Sequence, residues 1–109
     1  MIVTDRAFFA RDAVTTARRL LGQRLVRVLP AGFAIGGGRV LEAPTRVAGT
    51  IVEVEAYVGA RDRASHAWGG RRTARNEAMY AGPGRAYVYF TYGVHHCMNV
   101  VCAREGVPE

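Results

Sequence analysis

Apolar and polar residues change their spacing several times along this 109-residue chain, and each change marks an element. Val14, Ala17 and Leu21 recur at helical spacing between Asp12 and Gly22, which predicts a short amphipathic helix over Asp12–Leu21 with an acidic cap and a glycine stop. Gln23–Leu29 reads as a strand, Pro30-Ala31-Gly32 as its turn, and Phe33–Ile35 as a segment that pairs back. Gly36-Gly37-Gly38 and Pro44 loosen the next stretch into an exposed excursion, a lengthened surface hairpin. Val47–Val58 reads as the next strand. From Gly59 to Gly84 no strand signal appears, and a compact domain seldom keeps so long a connection without a use for it. Within it, Thr73 predicts the cap of a helix running to about Tyr80. Ala86–Thr91 and Val94–Cys102 then read as two strands joined by a tight hairpin at Tyr92-Gly93. With no repeat and no linker, residues 1–109 read as a single domain.

The strand at Ile51–Val58 puts charge where apolar groups are expected. Strand residues alternate sides, so Val52, Val54, Ala56 and Val58 share one face, and Glu53, Glu55 and Tyr57 share the other. A solvated outer sheet face is the ordinary reading of such a row. The alternative is a site where a carboxylate works beside a ring. The alternation alone does not choose between them.

Composition narrows the field. Half the residues are hydrophobic and 22% are charged, which fits a folded protein. No apolar run approaches membrane-spanning length, and no signal-peptide pattern opens the chain, so a cytoplasmic protein is expected. Cys97 and Cys102 lie five apart on one predicted strand, face opposite sides, and are expected as free thiols. The net charge of +6 and a pI near 10.1 favour a polyanionic partner. All fifteen basic residues are arginine; without lysine the chain cannot form a lysine Schiff base.

Tyr87-Val-Tyr-Phe-Thr-Tyr92 is an aromatic-rich strand ending at a hairpin tip. Strand aromatics are usually core, but Tyr92 sits where burial is least available, as a wedge for a base stack would. Three blocks, I-V-E-V-E-A-Y-V-G, S-H-A-W-G-G-R-R-T-A-R-N and G-P-G-R-A-Y-V-Y-F-T-Y-G-V-H-H-C-M-N, stand in the order and spacing of the alkyladenine (3-methyladenine) DNA glycosylase family. Together they span Ile51 to Asn99, and the chain closely resembles that family.

The resemblance implies a fold and a set of roles. The fold is α+β: a curved, mostly antiparallel sheet resembling a partly open barrel, with flanking helices and a protruding β-hairpin. Glu55 matches the family's general base. Tyr57 and His66 match residues stacking on one face of a flipped purine, Tyr89 the ring on its other face, and Tyr92 the side chain filling the gap left in the duplex. Asn99 matches an amide that crowds guanine's exocyclic amino group. Arg71, Arg72 and Arg75 would contact phosphates. In an extended strand Glu55 and Tyr57 would lie roughly 6.6–6.8 Å apart along the chain, about the offset between a stacked base and its sugar carbon. A carboxylate there could activate water against C1′, as in inverting glycosidases. The absence of lysine agrees with a monofunctional hydrolase, since strand-cutting glycosylases usually need an amine. Glu53 is the rival base, decided only by alignment, and is expected to orient its neighbours by hydrogen bonding.

His95-His96-Cys97 offers metal-ligand types, but neighbours on a strand alternate faces, so neither a metal nor another cofactor is expected. The expected partner is duplex DNA containing alkylated or deaminated purines, with no membrane and a monomer at full length. Family members continue for roughly as long again beyond the point where this chain stops, so the resemblance covers an N-terminal part. A catalytically silent DNA-damage binding fragment therefore stays open, as does an RNA-binding stacking platform, although the acid row does not suit the latter.

Overall fold

Asp12 caps the first helix as its position predicts: its carboxylate accepts the Thr15 N–H at 2.9 Å, and α1 spans Ala13–Leu20 in the computed structural model, which describes residues 5–109. That same hydrogen bond holds the Asp12 carboxyl below the usual range. Gly22 ends the element with φ +80°, a left-handed conformation that any side chain would strain. The covered face differs from the predicted stripe. Ala13 and Thr16 are buried, whereas Val14 and Leu21 are exposed. Positions 13, 16, 17 and 20 also follow helical spacing, so the stripe is right in period and shifted in phase. At the start of this face the Glu109 carboxylate accepts the Ala13 N–H at 3.0 Å, so the chain's last residue sits at the helix N-terminus, where negative charge is favoured.

The chain divides into two units, one of residues Leu20–Val54 and one of the residues up to Arg19 together with Glu55–Glu109. In the first, β1 (Arg24–Leu29) pairs antiparallel with β4 (Thr45–Thr50), Arg24 opposite Thr50 and Leu29 opposite Thr45. Between them, β2 (Ala34–Gly36) and β3 (Arg39–Val40) form a small hairpin over Gly37-Gly38. Phe33–Ile35 therefore does not pair back on the first strand; the glycine run gives it a nearer partner.

The expected strand Val47–Val58 stops at Thr50. The reason is the partner. Ile51 exchanges hydrogen bonds with Gly22 and Gln23 at 2.9 and 2.8 Å, and there the opposing chain turns away into α1. Val52 and its successors have no strand to pair with among the described residues, so period-two burial fails and Val52 is 85% exposed.

In the second unit the connection from Gly59 to Gly84 is built from turns. Gly59–Arg61, Trp68–Gly70 and Glu77–Tyr80 are single 3₁₀ turns. Asp62 fixes the first by accepting from Val58 N–H at 3.0 Å and Ala64 N–H at 2.9 Å, which keeps its carboxyl below the usual range. The predicted helix from Thr73 to Tyr80 shortens to its last turn. Asn76 takes over the first half: its side-chain oxygen accepts the Thr73 N–H at 2.7 Å, a local bond that competes with helix.

β5 (Ala86–Thr91) and β6 (His95–Val100) form the expected hairpin, Tyr87 opposite Asn99 and Tyr89 opposite Cys97. Cys102 lies past the end of β6, and both cysteines are free. The core of this unit is Ala67, Met79, Tyr80, Tyr87 and Val101, with Ala78 and Tyr89 packed against it. The architecture is thus α+β with all strand pairing antiparallel, in three two-stranded pairs among the described residues. No helix of the described residues is long and apolar enough to cross a membrane.

Asn76 is buried and serves the backbone on both sides of its turn: it accepts from Thr73 N–H and donates to the carbonyls of His66 at 3.2 Å and Arg71 at 2.9 Å. Asn76→Ala should cost about 2–4 kcal/mol in chemical denaturation, since each abandoned buried group costs about 1–3 kcal/mol and Arg71's carbonyl keeps the Tyr80 hydroxyl. Thr73→Ala, which removes only the hydroxyl's 3.3 Å hydrogen bond to the Asn76 side-chain oxygen and leaves the backbone bonds in place, should cost about 1 kcal/mol or less. Equal losses would show that the amide does not organise the turn.

Candidate functional site

Period two on the β5–β6 hairpin gathers the candidate site. Tyr87 and Tyr89 lie on one face of β5, and their register partners Asn99 and Cys97 lie beside them on β6. Tyr87 is buried, and Tyr89, Cys97 and Asn99 are half-buried. The two tyrosine rings stand 5.5 Å apart between centroids. His66, brought in by the turn-rich connection, places its ring 4.5 Å from Tyr89 and edge-on to Tyr87 at 6.0 Å. Its Nδ1 is 2.8 Å from the Tyr87 hydroxyl. The Asn99 amide donates to the Tyr87 carbonyl at 3.3 Å, which turns it along the hairpin.

Glu55 and Tyr57 meet directly. The Tyr57 hydroxyl donates to Glu55 Oε2, and the offset expected of an extended strand is replaced by this contact. The bond to Glu55 is the main cause that pushes the Tyr57 phenol up to about 12; burial, the Glu55 charge and the nearby Tyr89 and Cys97 add to it. Burial first, then Cys97, raises Tyr89 as well. Tyr57 is half-buried and Glu55 exposed, so the carboxylate reaches solvent while its companion ring lies against the site. Glu53 is exposed and makes no side-chain hydrogen bond among the described residues, so the orienting role expected of it is not seen.

Rings that are expected to sandwich a base here touch each other. A base between two rings needs about 7 Å, twice a stacking contact of about 3.5 Å. His66 and Tyr89 leave 4.5 Å at a tilt of 57°. The site as folded is filled by its own side chains.

Tyr92 stands apart. Its φ of +52° and Gly93's of +69° make the double left-handed turn of a tight hairpin, closed by Val94 N–H to the Thr91 carbonyl at 3.2 Å. Gly93 takes that conformation freely, whereas for a bulky side chain it is unfavourable by about 1–2 kcal/mol. Tyr92 is also 92% exposed, so packing does not offset the cost.

The three arginines divide. All are exposed, but Arg72 is held by Glu77 through Nε–Oε2 and Nη2–Oε1 contacts of 3.0 and 2.6 Å, with its guanidinium 4.6 Å from the Tyr80 ring centre. Arg71 offers its carbonyl to Asn76 and Tyr80, leaving its side chain outward, and the Arg75 charge bears on Tyr87. Tyr87 and Asn76 are the residues that the motif reading passed over. Tyr87 was findable from period two, lying two before Tyr89; Asn76 gave no signal beyond its place in the arginine-rich block. A concavity of about 410 Å³ on the β1–β4 pair, lined by Leu25, Arg27, Val47 and Ile51 among others, contains none of the site residues.

A raised tyrosine favours folding fully below its unfolded pKa of about 10 and loses that contribution as pH climbs through about 12. Ultraviolet titration should therefore show a late phenol near pH 12 that disappears in Tyr57→Phe. Glu55→Gln should move it back toward 10. Tyr87 and Tyr89 are raised as well, so the step near pH 12 is the one that decides: if it persists in Tyr57→Phe, it belongs to another ring.

Residues 7–109 match the family described as Methylpurine-DNA glycosylase (MPG). Proteins named "Putative 3-methyladenine DNA glycosylase" from Clostridium acetobutylicum and Bacillus cytotoxicus are 48% and 43% identical over 104 and 102 residues, which is 95% and 94% of this chain and 44% of each relative. One of the same name from Bacillus thuringiensis is 43% identical over 103 residues, again 44% of its length. The chain thus spans less than half the length of the curated relatives it matches, and it belongs to the methylpurine-DNA glycosylase family.

Proposed function

We propose that this chain carries the catalytic acid–aromatic part of a DNA repair glycosylase that hydrolyses the N-glycosidic bond of alkylated or deaminated purines. The observation that carries the reading is the Glu55 carboxylate bonded to Tyr57, in the unit whose hairpin face bears Tyr87, Tyr89, Asn99 and the His66 ring. A base inside a duplex cannot be reached, so it must be turned out and held against rings. Tyr57 and His66 would take one face of it and Tyr89 the other, which requires His66 and Tyr89 to separate by about 2.5 Å. Asn99, fixed by the hydrogen bond its amide donates to the Tyr87 carbonyl, would crowd an exocyclic amino group.

In the reaction the C1′–N bond breaks as the water oxygen bonds C1′. Glu55 takes a proton from the water, its negative charge stabilises the positive sugar, and the purine leaves with the bond's electron pair. Tyr92 would fill the gap in the duplex, and Arg71 and Arg75 would meet phosphates. Arg72, already engaged by Glu77, would contribute less to that contact. The alternative is a module that binds damaged DNA without cleaving it, which the chain's span of less than half its relatives' length keeps open.

In a chain of the relatives' full length, single-turnover release of hypoxanthine separates these readings. Glu55→Gln should lose about 10²–10⁴-fold in rate while affinity for damaged DNA stays within about tenfold. Retained activity in Glu55→Gln with loss in Glu53→Gln would reverse the two acids, and no release by the parent would leave the binding module.

Tyr92 should split stability from function. Tyr92→Gly relieves the left-handed strain and should leave stability unchanged or raised by up to about 1 kcal/mol, because glycine's unfolded-state entropy offsets part of the gain. Its release rate should fall most for a lesion in a matched pair and least for a mismatched or single-stranded one. A lowered melting temperature would place the ring in the folding core instead.

A further inference from the structure

His66 and Tyr87 form a hydrogen bond whose direction has chemical consequences for the site. Tyr87 is 7% exposed, and its hydroxyl has one hydrogen-bond partner among the described residues, His66 Nδ1 at 2.8 Å. A neutral phenol carries one proton and can also accept. If Nδ1 kept its own proton and donated, the phenol proton would have no acceptor among the described residues, at the cost of an unmade hydrogen bond. No buried side-chain nitrogen or oxygen among the described residues lacks a partner. The phenol itself stays protonated, because burial raises its pKa and Arg75, the charged group that bears on it, only partly opposes this.

We infer that Tyr87 is a positioning residue, whose hydroxyl donates to His66 Nδ1 and fixes the imidazole in the tautomer with its proton on Nε2. The ring is also pinned in place. Asn76 anchors its backbone by donating to the His66 carbonyl at 3.2 Å, and in the free protein Tyr89 lies against one side at 4.5 Å. His66 is exposed, and Nε2 has no hydrogen-bond partner among the described residues, so a fixed N–H donor is left available to a ligand. Such a donor rewards an acceptor oxygen or ring nitrogen on what binds there, and disfavours an amino group. That ligand statement rests on the proposed base-binding reading; the tautomer does not.

Nitrogen-15 imidazole spectroscopy of this chain, at a pH where the ring is neutral, tests the tautomer without DNA or catalysis. His66, assigned by its loss in His66→Gln, should show a pyridine-like Nδ1 and a pyrrole-like Nε2. A pyrrole-like Nδ1 in the parent overturns the inference and needs no variant to fold. Tyr87→Phe, which keeps the buried ring, should draw both nitrogens toward the averaged shifts of exchanging tautomers, and unchanged shifts would show that Tyr87 does not set the state. In a full-length chain, Tyr87→Phe should lower release of hypoxanthine by about fivefold to tenfold, as loss of one hydrogen bond predicts. An unchanged rate, with the tautomer confirmed, would overturn the positioning role.

Discussion

The antiparallel register of β5 with β6 is the constraint from which the candidate site follows. Because Tyr87 faces Asn99 and Tyr89 faces Cys97, one side of a two-stranded ribbon carries two phenols and an amide in fixed relation. A slip of one residue would turn that entire set to the other side and bring Val88, Phe90 and Met98 in its place. Register in turn depends on the tip, where Tyr92 and Gly93 take the two left-handed conformations that close the turn. The buried Tyr87 then fastens the ribbon to the core and, through its hydroxyl, to His66. Core and site share that side chain, so packing and recognition cannot be altered independently.

Much of this was legible in the residues. Asp12 and Gly22 marked both ends of α1, because a carboxylate next to free N–H groups and a glycine past the last turn have few other uses. Tyr92-Gly93 marked the hairpin. The aromatic residues of the site, Tyr57, His66 and Tyr89, could be named through the family resemblance, whereas period two alone would have pointed to Tyr87 beside Tyr89. The failures share a physical cause, which is that pairing and burial depend on partners that a local pattern does not contain. Ile51–Tyr57 alternates like a strand, yet the partner of β4 turns away at Gly22 and the alternation has nothing to act on. Val14 and Leu21 looked like the buried stripe of α1, but the face that is covered is the one Ala13 and Thr16 share. The run from Thr73 resembled a helix until the Asn76 side chain competed for its backbone.

The site residues were legible as types and not as distances. The sequence places Glu55 two positions before Tyr57, but not the hydroxyl that reaches back to the carboxylate. It places His66 in a long connection, and only the fold shows that ring resting on Tyr89. Arg72 is indistinguishable from its neighbours until Glu77 is seen to hold it, an exposed pair of small energetic weight that still occupies a fork otherwise suited to phosphate.

The left-handed turn under Tyr92 has a kinetic meaning on the proposed reading. A side chain that swings out only on contact must be ordered at that moment, and the lost freedom is subtracted from binding. Here the ring already projects, its direction set by a backbone conformation that folding has established. Such preorganisation does little for the rate of encounter, which diffusion and arginine charge govern, and acts instead on how long an opened duplex stays open. On that proposed reading the hairpin tip would act as a brake on reclosure rather than as a lever for opening.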